Sequence, residues 1–157
     1  LLFARTQQAA AALSRMFRSG IPEKRYRARL EGAPARSSGW IKLPLASDPE
    51  DRPVQIVLPE DAGGKPARTR FSTVAIDAQG RAIVDLFPDG GRTHQLRVHC
   101  AHSAGLGVPI EGDPLYGSTG AAILRSSARL CLHMDEIRLP HPVAGSLLHF
   151  TSEPDFP

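Results

Sequence analysis

The chain has 157 residues, 41% hydrophobic and 22% charged, which is the length of one domain and the composition of a globular fold and excludes a disordered tail. Nineteen cations against 16 anions leave a net charge of +3, distributed in blocks: residues 1–30 carry seven basic groups and one acidic, 31–64 three and six, 65–102 six and three, and 103–157 three and six. No apolar run approaches the roughly 18 residues of a membrane-spanning helix, and the two cysteines, Cys100 and Cys131, form no Cys-x-x-Cys pair, so they read as small buried apolar residues of a cytoplasmic protein and not as a disulfide framework.

Leu1-Leu2-Phe3-Ala4 opens the chain without an initiator Met and reads as a strand already in progress, so more chain is expected before it. Thr6 is a candidate N-cap, and Ala9, Ala10, Leu13, Met16 and Phe17 recur at helical spacing up to Gly20, which predicts an amphipathic helix over 7–19. Ile21-Pro22 breaks it. Residues 23–30 then alternate as a strand, with Tyr26, Ala28 and Leu30 on one face and Arg25, Arg27 and Arg29 on the other. The Pro-, Gly- and Asp-rich stretch 32–64 holds short strands at 40–45 and 54–58. Strands at 67–76 and 81–87 flank Asp77-Ala78-Gln79-Gly80, a hairpin turn. Residues 93–103 have helical character closed by Gly105, a small helix is expected after Pro114, and strands at 129–139 and 147–151 complete the chain. The predicted class is α+β, a mainly antiparallel mixed sheet with flanking helices in one domain.

Gly91-Arg92-Thr93-His94-Gln95-Leu96-Arg97-Val98-His99 is the most informative stretch. A glycine pair leading into a helix start offers free N–H groups to an anion, with Arg92 beside it. If the two basic blocks, 1–30 and 65–102, come together they wall one basic cleft for a phosphate backbone, and otherwise they belong to a mixed solvated surface; 16 of the 19 cations are Arg, the residue suited to bidentate phosphate contacts. Lys24, Arg25, Arg27 and Arg29 flank Tyr26, the arrangement of an aromatic that meets a base while cations hold the strand. Lys65, Arg68 and Arg70 bracket another strand start. His94, His99 and His102 cluster near Cys100, but their spacing matches no zinc pattern and no metal is assigned.

The same motif, followed by Gly112-Asp113-Pro114-Leu115-Tyr116-Gly117, resembles the RluA-type RNA pseudouridine synthases. The resemblance extends to Glu23-Lys24-Arg25-Tyr26-Arg27-Ala28-Arg29, Gly64-Lys65-Pro66-Ala67-Arg68-Thr69 and Leu130-Cys131-Leu132-His133, all in order. Gly39-Trp40-Ile41-Lys42-Leu43-Pro44-Leu45 places it nearest the RluA branch, which modifies ribosomal RNA, transfer RNA or both. The resemblance implies a pseudouridine synthase-like catalytic domain, incomplete at its N-terminus, with no cofactor and structured RNA as partner, acting as a monomer. It implies an aspartate that attacks a flipped uridine, whose base detaches, turns and rejoins the ribose through carbon. A base must leave its stack before such chemistry, which requires an extrusion pocket and a clamp on the flanking phosphates.

On this resemblance Tyr26 corresponds to the active-site tyrosine and Arg97 to the arginine that pairs with the aspartate. Lys24, Arg25, Arg27, Lys65, Arg68, Arg92, Thr93, His94 and Gln95 are expected to contact RNA. The nucleophile itself is missing: the family carries it in an Arg-Leu-Asp segment, and none of the nine aspartates here follows Arg-Leu. It is expected upstream of Leu1, the isolated chain is expected to be inactive, and Asp113, ahead of Pro114, is assigned to turn chemistry. A non-catalytic RNA-binding module of the same fold and, further off, a metal-dependent hydrolase built on the histidines are the rival readings.

Overall fold

A computed structural model describes residues 2–118 and 129–156 of the chain. Helix α1 (Gln7–Arg18) is followed by strands β1 (Glu23–Arg29), β2 (Ser38–Lys42), β3 (Leu45–Ser47), β4 (Gln55–Val57), β5 (Arg68–Ile76) and β6 (Ala82–Asp89). Helix α2 (Gln95–Ala101) and strands β7 (Leu132–Pro140) and β8 (Leu147–Thr151) complete it. Six strands pair antiparallel in the order β2-β5-β6-β1-β7-β8, and β3 and β4 form a separate ribbon. The α+β reading therefore holds.

The two faces of the sheet follow from period-2 alternation. Ala28, Phe71, Val84 and Leu86 face inward with Ile41, against Leu96 and Cys100 of α2. Each such aliphatic or aromatic side chain contributes roughly 1.5–3 kcal/mol on full burial. On the opposite face Arg25, Arg27 and Arg29 meet carboxylates of neighbouring elements. The hairpin between β5 and β6 is built as its residues predict: Asp77 Oδ1 accepts from the N–H groups of Gln79 and Arg81, and Gly80 takes φ +79°. Thr6 caps α1 by accepting from the Ala9 N–H at 3.2 Å, and Arg15 and Arg18 occupy its last turn, where the helix dipole favours cations.

Three local expectations change. Leu2, Phe3 and Ala4 form no strand; they are exposed and no described strand pairs with them, and apolar residues become a strand only when a ladder satisfies their backbone. Helix α2 is seven residues long, shorter than the predicted 93–103, because His94 adopts a left-handed φ of +52° and His102 is extended. A helix this short, whose leading Arg92 N–H is already taken by the Gln95 side chain, is not the free anion site that its glycines suggest. The small helix expected after Pro114 falls on residues 119–128, outside the described residues.

Candidate active site

Tyr26 and Arg97 line one cavity of about 250 Å³ between β1, the end of β6 and α2, together with Lys24, Gly91, Arg92 and His94. Tyr26 is aimed by a register shift: the β1–β7 ladder slips between Arg25 and Tyr26, and such a bulge re-aims the side chain that follows it. On α2, Leu96 and Val98 are buried on either side of Arg97 and leave its guanidinium at the cavity. Burial pushes the Tyr26 phenol up, so it stays protonated at neutral pH. Lys24 is pulled below the ordinary lysine value by burial, against the opposing charge of Asp89, and its ammonium donates to the Gly90 carbonyl.

Arg97 is held by Asp113. Its Nε donates to Oδ2 at 2.8 Å and its Nη2 to Oδ1 at 2.6 Å, a two-point fork on a carboxylate that is 1% exposed. Asp113 takes the turn role as well, Oδ1 accepting from the N–H groups of Leu115 and Tyr116. Burial raises its carboxyl, but the hydrogen bonds from Arg97 and the two backbone N–H groups, with the Arg97 charge, outweigh this and hold it below the usual carboxylate range. Gly112 is required here: at φ +74° a Cβ would come within 2.2 Å of the Arg129 carbonyl oxygen. The fork uses Nε and Nη2, leaving Nη1 with no described partner, and the guanidinium carbon lies 5.0 Å from the centre of the Tyr116 ring.

Two hydrogen-bond chains fix the rest of the motif. The Gln95 amide donates to the Arg68 carbonyl and to Thr69 Oγ1; Thr69 donates to His99 Nδ1 at 2.9 Å; and His99 Nε2 donates to the Leu43 carbonyl, which can only accept. That order satisfies every group and makes His99 the neutral Nε2–H tautomer, with a pKa lowered to about 4 chiefly by burial. In the second chain Tyr116 Oη accepts the Gln55 N–H at 2.8 Å and donates to His94 Nδ1 at 2.9 Å. His94, its pKa lowered by burial and by Arg97, therefore also carries its proton on Nε2. Both His99 nitrogens are thus occupied inside the fold and this histidine is structural; no group of three His, Cys, Asp or Glu side chains among the described residues could hold a metal.

Of the residues nominated as RNA contacts, Lys24, Arg92, His94 and Gln95 belong to the cavity lining. Arg92 and Thr93 are exposed beside it, and Arg92 Nε donates to the Pro66 carbonyl at 3.2 Å. Gln95 is buried and its amide is spent on the internal chain above. Lys65 and Arg68 are exposed; Arg68 pairs with Asp89. Arg25 and Arg27 are not brought to the cavity. They leave the opposite face of β1 and pair with Asp135 and Glu136 and with Asp85, since neighbours on a strand point to opposite sides. Asp113 and Tyr116 are the functional side chains that sequence reasoning missed; the only available signal was their place in the second motif.

The cavity thus presents a half-buried aromatic, a fixed guanidinium with a free edge, and further cations and donors at its mouth. That set can stack a flat ring, keep a neighbouring carboxylate ionised and hold phosphates. The sequence profile described as RNA pseudouridylate synthase matches residues 1–102. The chain is 40% identical over 156 residues to the dual-specificity RNA pseudouridine synthase RluA of Shigella flexneri, across 99% of this chain and 68% of that protein. It is 39% identical to the RluA of Yersinia pestis, across 99% of this chain and 72% of that protein. Among solved structures, human RNA pseudouridylate synthase domain containing 1 superposes with a TM-score of 0.79 at 28% identity, over 96% of this chain and 62% of that one. Human RNA pseudouridylate synthase domain containing 4 gives 0.75 at 22%, over 95% of this chain and 64% of that one, a likeness of fold. The chain spans about two thirds of the length of the relatives it matches.

Proposed function

The chain belongs to the RNA pseudouridylate synthase family, and on that premise we propose that it is the part of a uridine-isomerising enzyme that receives the flipped base and orients the nucleophile. The observation that carries this reading is the convergence of Tyr26 and Arg97, from distant parts of the chain, on one cavity. The nucleophilic aspartate comes from an Arg-Leu-Asp segment upstream, and the free Nη1 edge of Arg97 keeps it ionised while Asp113 anchors the other edge. The Tyr26 ring stacks on the base, and its protonated hydroxyl is suited to relaying a proton, not to acting as a phenolate.

The reaction is an isomerisation and needs no cofactor. The glycosidic C–N bond breaks as the aspartate engages the ribose, the base turns, and a C–C bond replaces the lost one as the carboxylate leaves the sugar. The carbon that joins the sugar gives up its proton and the freed nitrogen gains one, so atoms balance without a co-substrate. The substrates are ribosomal RNA, transfer RNA or both, bound by a monomer in the cytoplasm, with Lys24, Arg92, Thr93 and His94 at the mouth of the cavity holding the flanking backbone.

The test is pseudouridine formation by the full-length protein on ribosomal and transfer RNA, with the modified position mapped. Arg97→Ala is expected to abolish turnover with little loss of RNA binding, and near-normal product would overturn the role. Tyr26→Phe separates ring from hydroxyl, and an unchanged rate would remove the proton relay.

A further inference from the structure

A second cavity, about 510 Å³, is distinct from the one at Tyr26 and Arg97. It opens at the end of the sheet where β1 begins and β6 ends, and shares Lys24 and Pro88 with the candidate active site. Its floor belongs to the face opposite the core. Trp40, Arg70 and Phe87 stand side by side on β2, β5 and β6, paired Trp40 to Arg70 and Arg70 to Phe87. Its size is within the roughly 300–1,000 Å³ of small-ligand sites.

Two features set this groove apart from an ordinary solvated sheet face. Trp40 is 47% exposed although it sits in a paired strand, and the Arg68 guanidinium lies 5.8 Å from its ring centre. Arg70 lies over Phe87, its guanidinium carbon 3.9 Å from the ring centre, and has no carboxylate partner among the described residues. Of the other cations of the lining, Arg25 is paired with Asp135 and Glu136 and Arg138 with Glu136, while Lys24 keeps its charge and donates to the carbonyl of Gly90, a lining residue of the candidate active site. What remains open is one aromatic plane and one free, oriented guanidinium, next to the cavity for the target base.

We propose that this groove is a second RNA site, in which an unpaired base flanking the target uridine stacks on Trp40 while Arg70 holds its phosphate. It rests on the reading of the chain as an RNA-modifying enzyme. An apolar peptide would leave Arg70 without a partner, whereas a nucleotide supplies both the flat ring and the anion that the groove lacks. Lys24 and Pro88, common to both linings, form the ridge that the strand crosses between the two sites.

Trp40 is the single tryptophan of the 157 residues, so its emission reports on the groove directly. In the full-length protein the Trp40→Phe variant supplies the background from any other tryptophan. The expected result is quenching of the Trp40 component on titration with substrate RNA whose target is flanked by unpaired bases. Trp40→Ala is expected to weaken binding roughly 5- to 150-fold, the range for loss of one stacked base, with Trp40→Phe recovering most of it. Arg70→Gln is expected to lower the slope of log affinity against log salt by about 0.7, one phosphate contact on a single strand.

Unchanged Trp40 emission at saturating RNA, or wild-type affinity in Trp40→Ala, overturns the proposal; if Trp40→Ala does not fold, the emission and Arg70→Gln decide alone. Pseudouridine is measured on the same samples. Product with a silent Trp40 defeats the groove and leaves the enzymatic reading intact. Quenching without product on any RNA defeats the enzymatic reading and leaves the groove standing.

Discussion

Asp113→Asn tests the joint on which the candidate site depends. In the native chain the Asp113 carboxylate, 1% exposed, accepts two charge-assisted bonds from Arg97, whose side chain is 13% exposed, and two more from the Leu115 and Tyr116 N–H groups. A hydrogen bond to a charged group contributes roughly 1.5–3 kcal/mol. Asparagine is nearly isosteric and keeps one oxygen, enough for the turn and for one bond from the guanidinium to a now neutral acceptor, but its NH2 faces the second Arg97 donor. The loss is therefore about 2–4 kcal/mol, below the roughly 3–5 kcal/mol of leaving a buried charge wholly unpaired, and a large share of the roughly 5–15 kcal/mol that holds a domain folded. Urea unfolding of the full-length protein at pH 7 measures it. Because the Asp113 carboxyl is held below its unfolded value, its contribution is complete above about pH 3.9 and is lost as pH falls through the lower folded value, so the gap between native and variant must narrow at acid pH. A gap under about 1 kcal/mol at pH 7, or one that stays flat into acid, would refute the account of Arg97 as a cation fixed by a buried partner.

His99, buried neutral with a pKa of about 4 against an unfolded value near 6.5, takes up its proton more readily when unfolded, so stability is expected to fall by about 3 kcal/mol as pH drops from 6.5 to 4. A His99 ring resonance that titrates above pH 6 would contradict this. Tyr116→Phe removes the acceptor of the Gln55 N–H and the donor to His94, costing about 1–2 kcal/mol. Ring nitrogen shifts should then show His94 passing from one tautomer to a mixture, and an unchanged tautomer would break the proposed chain. Arg92→Ala is expected to lower the salt slope of RNA affinity by about 0.7, while Arg27→Ala, which loses the Asp85 pair at 2.9 Å, should reduce stability and leave the slope alone. Equal slopes for the two variants would erase the distinction between the candidate cavity and the opposite face of β1.

The paired faces also explain why the net charge of the blocks overstated the cleft. The three arginines of β1 are paired at home: Arg25 with Asp135 and Glu136, Arg27 with Asp85, and Arg29 with Glu111. Their carboxylates come mostly from the acidic block at the end of the chain, which β7 brings alongside β1. Within the two cavities the cations with no carboxylate partner among the described residues are few: Lys24 and Arg92 at the candidate active site, and Arg70 in the groove.

Much of the fold was legible in local patterns, because the helix over 7–19, the strand at Tyr26 and the Asp77–Gly80 hairpin depend on periodicity and turn chemistry within a few residues. The ordered motifs were equally local, and through them the family could be picked out, and Tyr26 and Arg97 nominated, without coordinates. Tertiary structure alone decided how the members of one motif divide their labour. Within six consecutive residues His94 and Arg97 present their side chains to the cavity, while Gln95, at its wall, and His99 spend theirs on locking β5 and the Leu43 carbonyl. It also decided that Asp113 is the anchor of Arg97, a contact across 16 residues that no spacing rule anticipates. It removed the strand expected at Leu2–Ala4, which has no described partner. The reason is common to all three: an arginine, a glutamine or an apolar run carries the same local propensity whatever lies opposite it, and its role is set by the partner that the rest of the chain delivers.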